Sequence, residues 1–267
     1  MPTPGPAPAH APHAPLTDYY RTEQDRQAYL RQIFDNTAAD YDRIETMLAW
    51  GSGSRYRRQA LVRGGLTAGM KVLDVGVGTG LVAAQACILA GNASLVTGVD
   101  PSPGMMAASK LPAAMVLVEG RAESLPFPDN HFDFLSMGYA LRHISDLGVA
   151  FAEFERVLKP GGRLCLLEIT QAQSRLGQWL LKTYMRGVIP LLTHVVSKQK
   201  DTATIWRYYW DSIEACVSPE HVMATLGEAG LTQVKRYVEL GVFSEYQAIK
   251  ADRGQPESTP ALARNGN

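Results

Sequence analysis

The order of apolar and polar positions divides the chain into helical and strand-like segments. Apolar residues recur at helical spacing over 21–50, until Gly-Ser-Gly-Ser at 51–54 interrupts the pattern. After Gly69, short apolar runs alternate with helical stretches, which is typical of a parallel sheet buried on both faces. The runs predict five strands, at 71–76, 94–100, 114–120, 132–139 and 163–170.

Beyond residue 170 the pattern predicts an insertion and then the edge of the sheet. The stretch 174–213 is helical and rich in large aromatic residues, and it could form a lid. A short helix over 218–230 follows, with Ser218 as its cap. The last strands, 231–240 and 242–250, alternate more and could pair antiparallel. The predicted fold is α/β: a Rossmann-like, seven-stranded, mostly parallel sheet with helices on both faces, a helical N-terminal segment and a helical lid insertion.

The two ends of the chain differ in composition from its middle. Six prolines fall within residues 1–16, and 251–267 is mostly polar, so both are predicted to be disordered tails. Residues 17–250 are predicted to form a single domain. The N-terminal segment lacks the features of a signal peptide, and no apolar run is long enough to span a membrane, so a cytoplasmic location is expected.

Charge and cysteine content narrow the class of partner. The 267 residues include 26 Lys and Arg against 26 Asp and Glu, without the basic excess typical of nucleic-acid binders. The three cysteines match neither a disulfide framework nor a zinc site. Neither a nucleic acid nor a metal is therefore expected as a partner. A homodimer stays open. The apolar and basic residues of the lid leave two alternatives, an ordinary helical lid and a lid that touches a membrane surface.

Glycine and acidic residues stand at the ends of the predicted strands, where an open α/β sheet binds its ligands. The first strand runs into Asp-Val-Gly-Val-Gly-Thr-Gly at 74–80, directly before a helix. Glycines let the backbone approach a ligand closely, and the helix N-terminus attracts an anionic group. Asp100, followed by Pro101, ends the second strand and could bind both hydroxyls of a ribose. These features indicate a site for a nucleoside cofactor.

The glycine loop does not fit two common nucleotide motifs. The dinucleotide fingerprint needs Gly or Ala where the chain has Leu81, and the Gly-Lys-Ser/Thr of a P-loop is missing. Asp74 would oppose a pyrophosphate but would suit an ammonium group, such as the amino-acid end of S-adenosylmethionine. A nicotinamide dehydrogenase and a non-catalytic binding module stay as alternatives from other classes.

Four successive motifs resemble those of class I S-adenosylmethionine-dependent methyltransferases: D-V-G-V-G-T-G at 74–80, V-D-P-S-P-G-M-M at 99–106, A-E-S-L-P-F-P-D-N-x-F-D at 122–133 and R-V-L-K-P-G-G-R-L at 156–164. More narrowly, the chain resembles the C-methyltransferases of menaquinone and ubiquinone biosynthesis over roughly 34–240. The additional matches are Phe34, Tyr41-Asp42, Ala140-Leu141-Arg142, Leu167-Glu168, Arg207-Tyr208 and Ser212-Ile213.

The resemblance implies S-adenosylmethionine as the cofactor and gives each matching residue a role. The methionine end would be held by the loop that contains Asp74, Gly76, Gly78, Thr79 and Gly80. The ribose would be held by Asp100 with Pro101 beside it, the adenine would be bordered by Arg121 and Ala122, and the sulfonium would lie near Gly138.

The resemblance also implies methyl transfer to a ring carbon of a quinol-like acceptor, which could carry a prenyl tail. Arg142 stands where the family has an arginine proposed to help deprotonate the quinol, and His143 could act as a base. Tyr41 could close over the sulfonium by a cation–π contact. The structural alternatives are a surface salt bridge for Arg142 and ordinary packing for His143 and Tyr41. Methylation of a nitrogen or oxygen, on a lipid headgroup or an apolar secondary metabolite, is the alternative function.

The chain departs from the family pattern at five positions. The family usually has Asp, Asn, Asn, His and Gly where this chain has Leu81, Arg121, His143, Tyr246 and Ala248. These differences concern the acceptor more than the cofactor.

Overall fold

The fold is organised around a seven-stranded sheet with the strand order β3-β2-β1-β4-β5-β7-β6. The structure is a computed structural model, and it describes residues 9–48, 53–172, 174–188 and 201–252. Within these ranges, the side chains of 39–48, 188 and 201–203 are not described. The strands are β1 (Val72–Val75), β2 (Val96–Asp100), β3 (Val116–Glu119), β4 (Phe132–Gly138), β5 (Leu158–Ile169), β6 (Leu231–Glu239) and β7 (Phe243–Lys250). Strands β1 to β5 are parallel, and β7 pairs antiparallel with both β5 and β6. The predicted sheet is confirmed.

The middle of the sheet is buried on both faces. All four residues of β1 are buried, and β4, which pairs with β1 and β5, has no exposed residue. A strand covered on both sides needs apolar side chains at successive positions, which explains the continuous apolar runs in the sequence. At the edge of the sheet, β6 is largely exposed and its residues alternate.

Helices cover both faces of the sheet. They are α1 (Glu23–Leu48), α2 (Gly53–Arg63), α3 (Leu81–Ala90), α4 (Pro103–Ala107), α5 (Leu147–Val157), α6 (Arg175–Thr183), α7 (Asp201–Ala215) and α8 (Pro219–Glu228). On one face, α5 and α8 bury Phe154 and Leu226 in the larger core cluster. On the other face, α2 and α3 bury Leu61 and Ala83. The start of α8 is as predicted, because the Ser218 hydroxyl accepts a hydrogen bond from the His221 N–H.

A smaller aromatic cluster joins α1 to the lid. Ile33 of α1 packs with Trp206, Tyr209 and Trp210 of α7, and Met185 lies in the same cluster. The lid predicted at 174–213 consists of α6, a π-helical turn at Tyr184–Val188 and α7, and 189–200 falls outside the described residues. None of the helices in the described ranges is both long and apolar enough to cross a bilayer.

The N-terminal segment differs from its prediction. Residues 1–8 and 253–267 lie outside the described residues, but 9–16 lie against the domain. The carbonyl of His10 accepts a hydrogen bond from the Leu147 N–H, and the carbonyl of Pro12 accepts one from Val217. The His13 ring is buried, and its Nε2 lies 3.1 Å from the carbonyl oxygen of Arg142. The prediction of a disordered tail was based on the proline-rich composition. Composition indicates local chain properties and carries no information about these long-range contacts.

Candidate functional site

A cavity of about 580 Å³ opens beyond the carboxyl ends of β1, β2, β3 and β4. Its volume lies within the usual range for small-molecule pockets. Helices α1 and α7 contribute Phe34 and Tyr209 to its lining. Nine of the residues that the sequence proposes for the cofactor line the cavity: Asp74, Gly76, Gly78, Thr79, Asp100, Pro101, Arg121, Ala122 and Gly138.

Glycines shape the loop between β1 and α3. Gly76, Gly78 and Gly80 have φ values of 66°, 54° and 91°, a region that side chains rarely allow. A Cβ on Gly76 would also approach the Cβ of Ala140 to 2.7 Å. Gly80 is not among the described lining residues; it forms the N-cap of α3. Gly76 and Gly78 therefore shape the cavity, whereas Gly80 shapes the turn behind it.

Asp74 is a buried carboxylate at the end of β1. It accepts hydrogen bonds from the Ser136 hydroxyl, at 2.6 Å, and from the Ala83 N–H in the first turn of α3. Burial raises the pKa of Asp74 to about 7; the charge of Asp100 adds to this shift, and that of Arg57 opposes it. Within the described residues Asp74 makes no ion pair. A cationic ligand group beside it would therefore favour the ionised form.

Asp100 connects the end of β2 to the glycine loop. Its Oδ2 accepts the N–H of Gly78 and its Oδ1 accepts the N–H of Ser102, both at 2.8 Å. Burial raises the pKa of Asp100 to about 6, and the charge of Asp35 adds to this rise. Each carboxylate oxygen keeps a second lone pair, so the side chain can also accept hydrogen bonds from ligand hydroxyls.

Arg121 and Ala122 follow β3 on the same side of the cavity. The Arg121 guanidinium donates hydrogen bonds to the Ser145 hydroxyl, at 3.0 Å, and to Glu123, at 3.3 Å. These bonds fix a planar group next to the small apolar side chain of Ala122. Arginine stacks on aromatic faces, so this surface suits a flat ring.

The end of β4 is closely packed and strained. A Cβ on Gly138 would lie 2.5 Å from Cγ2 of Val82, so a larger side chain does not fit. The next residue, Tyr139, has a φ of 59°, which is rare for an aromatic residue and frequent at functional sites. The guanidinium carbon of Arg57 lies 5.6 Å from the Tyr139 ring centroid, and both residues line the cavity.

His143 lines the cavity at the end of a 3₁₀ turn, Leu141–His143, that follows β4. Its Nδ1 lies 3.2 Å from the hydroxyl oxygen of Tyr208, whereas its Nε2 is buried and has no hydrogen-bond partner among the described residues. The pKa of His143 lies well below the ordinary value, first because of burial and then because of the positive charges of Arg142 and Arg26. The ring is therefore neutral at physiological pH.

Arg142 is not among the described lining residues of the cavity. Arg142 and Glu168, each 2% exposed, form a buried ion pair. The Nε of Arg142 donates a hydrogen bond to the Ser212 hydroxyl at 3.0 Å, and the guanidinium carbon lies 4.7 Å from the Tyr209 ring centroid. This placement favours a structural role, although the predicted part of Arg142 in deprotonation stays a prediction.

The third proposed catalytic residue, Tyr41, belongs to the part of α1 whose side chains fall outside the described residues. Its cation–π role stays a prediction.

Two buried arginines line the cavity that no pattern in the sequence singled out, Arg26 and Arg57. Arg26 of α1 donates from Nη2 to the carbonyl oxygens of Ile144, at 2.8 Å, and Arg142, at 3.3 Å. Neither arginine belongs to a glycine loop or follows a strand. The only signal in the sequence is a basic residue on a helix, which is ordinarily a solvated position.

Comparisons with known proteins show which family the chain resembles. The ubiE/COQ5 methyltransferase family matches over residues 22–250. A ubiquinone/menaquinone biosynthesis C-methyltransferase, UbiE, from Shewanella sp. (strain ANA-3) is 31% identical over 224 residues, which cover 81% of this chain and 88% of that protein. UbiE from Hahella chejuensis is 28% identical over 235 residues, covering 85% and 93%. A solved S-adenosylmethionine-dependent methyltransferase from Thermotoga maritima has a TM-score of 0.58 at 22% identity, covering 82% of this chain and 99% of that one, and this likeness shows the fold alone.

The buried ion pair leads to a prediction about stability. Replacing Arg142 by Met would leave the Glu168 carboxylate buried without its cation, so the free energy of unfolding is expected to fall by about 3–5 kcal/mol. Denaturant unfolding of the purified variant measures this loss. A matched control is Lys182→Met, which breaks the exposed pair with Glu214 and is expected to cost no more than about 1 kcal/mol. Equal losses in the two variants would contradict the structural role of Arg142.

Proposed function

The chain belongs to the ubiE/COQ5 methyltransferase family, and from that premise we propose that it methylates a ring carbon of a quinol-like acceptor. Its methyl donor is S-adenosylmethionine, as in the family. The acceptor proposed here is an apolar aromatic ring with a hydroxyl group, with or without a prenyl tail. The observation that carries the proposal is that one cavity joins buried carboxylates at one side to a neutral imidazole among aromatic rings at the other.

The residues on the carboxylate side fit the donor. S-adenosylmethionine carries an ammonium group, and Asp74 is a buried carboxylate without an ion pair in the described part of the chain. Asp100 keeps lone pairs for the ribose hydroxyls, while Arg121 and Ala122 offer a surface for the adenine. We infer that Arg57 binds the carboxylate of the methionine end, because its buried guanidinium lines the same side of the cavity.

The opposite side fits an aromatic acceptor. The Phe34 ring stands edge-on to His143 with 5.3 Å between ring centroids, and the Tyr209 ring lies 5.8 Å from His143. These aromatic rings would orient a flat acceptor and exclude water from it. His143 would meet the acceptor hydroxyl, whose proton must leave before the ring carbon becomes a strong nucleophile.

The chemistry of the donor is simple: when bound, S-adenosylmethionine supplies an electrophilic methyl group on a positively charged sulfur. The contribution of the chain is to hold both partners in line, to keep water out and to assist loss of the hydroxyl proton. The known arrangement of the strand ends, with Gly138 between the two sides of the cavity, supports this division of roles.

The first prediction concerns the atom that receives the methyl group. With donor labelled in its methyl carbon and a reduced, prenylated 1,4-naphthoquinol as acceptor, we expect a product whose label is bonded to a ring carbon. Product mass and carbon NMR measure this outcome. Matched acceptors are a phenol methyl ether, which has no hydroxyl proton to lose, and a phosphoethanolamine lipid. Label on oxygen or nitrogen, or transfer only to the lipid headgroup, would contradict the proposal and favour the alternative function.

The second prediction concerns protons released on donor binding. The pKa values of Asp74, about 7, and Asp100, about 6, are raised by burial in the free protein. A bound cation favours the ionised carboxylates, so binding at pH 6 should release about one proton, and affinity should rise as the pH increases from 5.5 to 7.5. Calorimetric titration in buffers of different ionisation enthalpy counts these protons.

The matched control for this experiment is Asp74→Asn. This variant should release fewer protons at pH 6, because only Asp100 still titrates there. Proton uptake on binding, or the same release by both proteins, would show that the cationic end of the donor lies elsewhere.

We further propose that the lid contacts a membrane surface. Leu176, Trp179 and Leu180 of α6 are between half and two-thirds exposed, and Leu240, between β6 and β7, is 83% exposed. Leu180 and Leu240 line one shallow groove of about 470 Å³. Every charged residue over 174–187 is basic, which suits an anionic lipid surface. The same segment packs inward against Tyr209 and so lies above the acceptor side of the cavity.

Vesicle flotation tests this contact. The protein should float with vesicles of anionic phospholipid. A double variant that carries Leu176→Ser and Trp179→Ser should reduce the vesicle-bound fraction of the protein several-fold. Ile88→Ser, which removes an exposed apolar residue from α3, is the control and should not change it. Size-exclusion chromatography tests whether a second copy of the chain covers this surface instead of a membrane. If the Leu176→Ser/Trp179→Ser variant no longer forms a dimer that the unmodified protein forms, and its flotation is unchanged, the surface is a protein interface.

A further inference from the structure

The Tyr208 hydroxyl has one hydrogen-bond partner in the described part of the chain. Tyr208 is fully buried on α7, and its Oη lies 3.2 Å from Nδ1 of His143. The rings of Tyr19 and Tyr29 pack edge-on against Tyr208, at 5.2 and 5.8 Å between centroids. They surround its ring with apolar edges and leave Nδ1 as the available acceptor for its hydroxyl proton.

The protonation of Tyr208 is settled by its surroundings. Burial raises the pKa of Tyr208 far above the physiological range, so the side chain is a phenol and carries a proton to donate. A buried hydroxyl that donates to nothing is disfavoured. The hydrogen bond therefore runs from the Tyr208 hydroxyl to Nδ1 of His143.

The direction of this bond fixes the tautomer of His143. A neutral imidazole carries one proton, and a ring nitrogen that accepts a hydrogen bond cannot carry it. Because Nδ1 accepts, the proton is on Nε2. This N–H is buried and unpartnered within the described residues, on a ring that lines the cavity.

We propose that Tyr208 holds His143 as the Nε2–H tautomer, so that His143 donates a hydrogen bond to the acceptor oxygen and does not act as its base. The identity of that oxygen rests on the proposed function; the tautomer does not. The acceptor gives its hydroxyl proton to solvent water as it enters the cavity, before the aromatic rings exclude water from it, and the Nε2–H stabilises the negative charge that remains on the oxygen. Neutral imidazoles act as donors in this way when a fixed hydrogen bond and nearby positive charge keep them unprotonated.

The test is a direct measurement of the tautomer by NMR. In protein labelled with ¹⁵N at histidine, without donor or acceptor, two-bond ¹⁵N–¹H correlations show which ring nitrogen of His143 carries the proton. His143→Gln identifies the signals by their loss. We expect a protonated Nε2 and an unprotonated Nδ1 from pH 6 to pH 8. A protonated Nδ1 in the unmodified protein would overturn the proposal, even if methyl transfer to a quinol were established.

Two tyrosine variants separate positioning from packing. Tyr208→Phe removes only the hydroxyl, so the His143 signals should move towards a mixture of tautomers. Tyr19→Phe is the matched control, since its hydroxyl donates to Asp211 and its ring also packs on Tyr208. It should leave the His143 signals unchanged. Unchanged signals in Tyr208→Phe, or equal changes in both variants, would contradict the positioning role.

Kinetics distinguish a donor from a base. Glutamine can donate a hydrogen bond but cannot take up a proton at neutral pH, whereas leucine can do neither. We expect His143→Gln to keep about ten times more kcat than His143→Leu, because one donated hydrogen bond is retained. If His143 were the base, both variants would lose activity equally, and kcat of the unmodified protein would fall with protonation of an imidazole.

Discussion

The guanidinium of Arg142 and its own carbonyl group hold together the segments that surround the cavity. The guanidinium pairs with Glu168 at the end of β5 and donates to Ser212 of α7, while the carbonyl oxygen accepts hydrogen bonds from Arg26 of α1 and meets the His13 ring. Four separate parts of the chain thus converge on one residue of the turn after β4. A buried arginine is costly unless it is fully paired, so these segments must come together in one arrangement. That arrangement places the next residue, His143, in the cavity lining.

The sequence was sufficient for the sheet and for the residues that line the cavity beyond β1 and β2, because these depend on local patterns. Continuous apolar runs identified the parallel strands, and the loop at 74–80 and Asp100 follow strand ends whose positions the topology determines. The pairing of Arg142 with Glu168 was not predictable, since it joins a residue of the turn after β4 to a residue of β5 and depends on side-chain direction. The same holds for residues 9–16, whose contacts are with turns more than a hundred residues away. Local patterns carry little information about such contacts.

Acidic and basic groups lie on both sides of the cavity: Arg57 lies near Asp74, and Glu168 is paired with Arg142. Asp74 and Asp100 lie on the side of the first two strand ends, whereas Arg26 and Arg142 lie close to His143. In a cavity that excludes water, such charges act over longer distances than on the surface. A positively charged donor is favoured near the carboxylates, and an oxygen that becomes negative is favoured near the arginines. These charges contribute to the orientation of the two reactants, together with the contacts that single residues make.

The same field limits what His143 can do. Its pKa is lowered by burial and by Arg142, Arg26 and His13, and Arg142 cannot move away because Glu168 and Ser212 hold it. Taking up a proton would place a further positive charge in this buried group, so a base of ordinary strength is not available there. Donating a hydrogen bond requires no change in charge. An asparagine, the residue that the family usually has at this position, could likewise donate through its amide but could not serve as a base at neutral pH. The histidine of this chain and that asparagine thus share the capacity to bind an oxygen that gains negative charge.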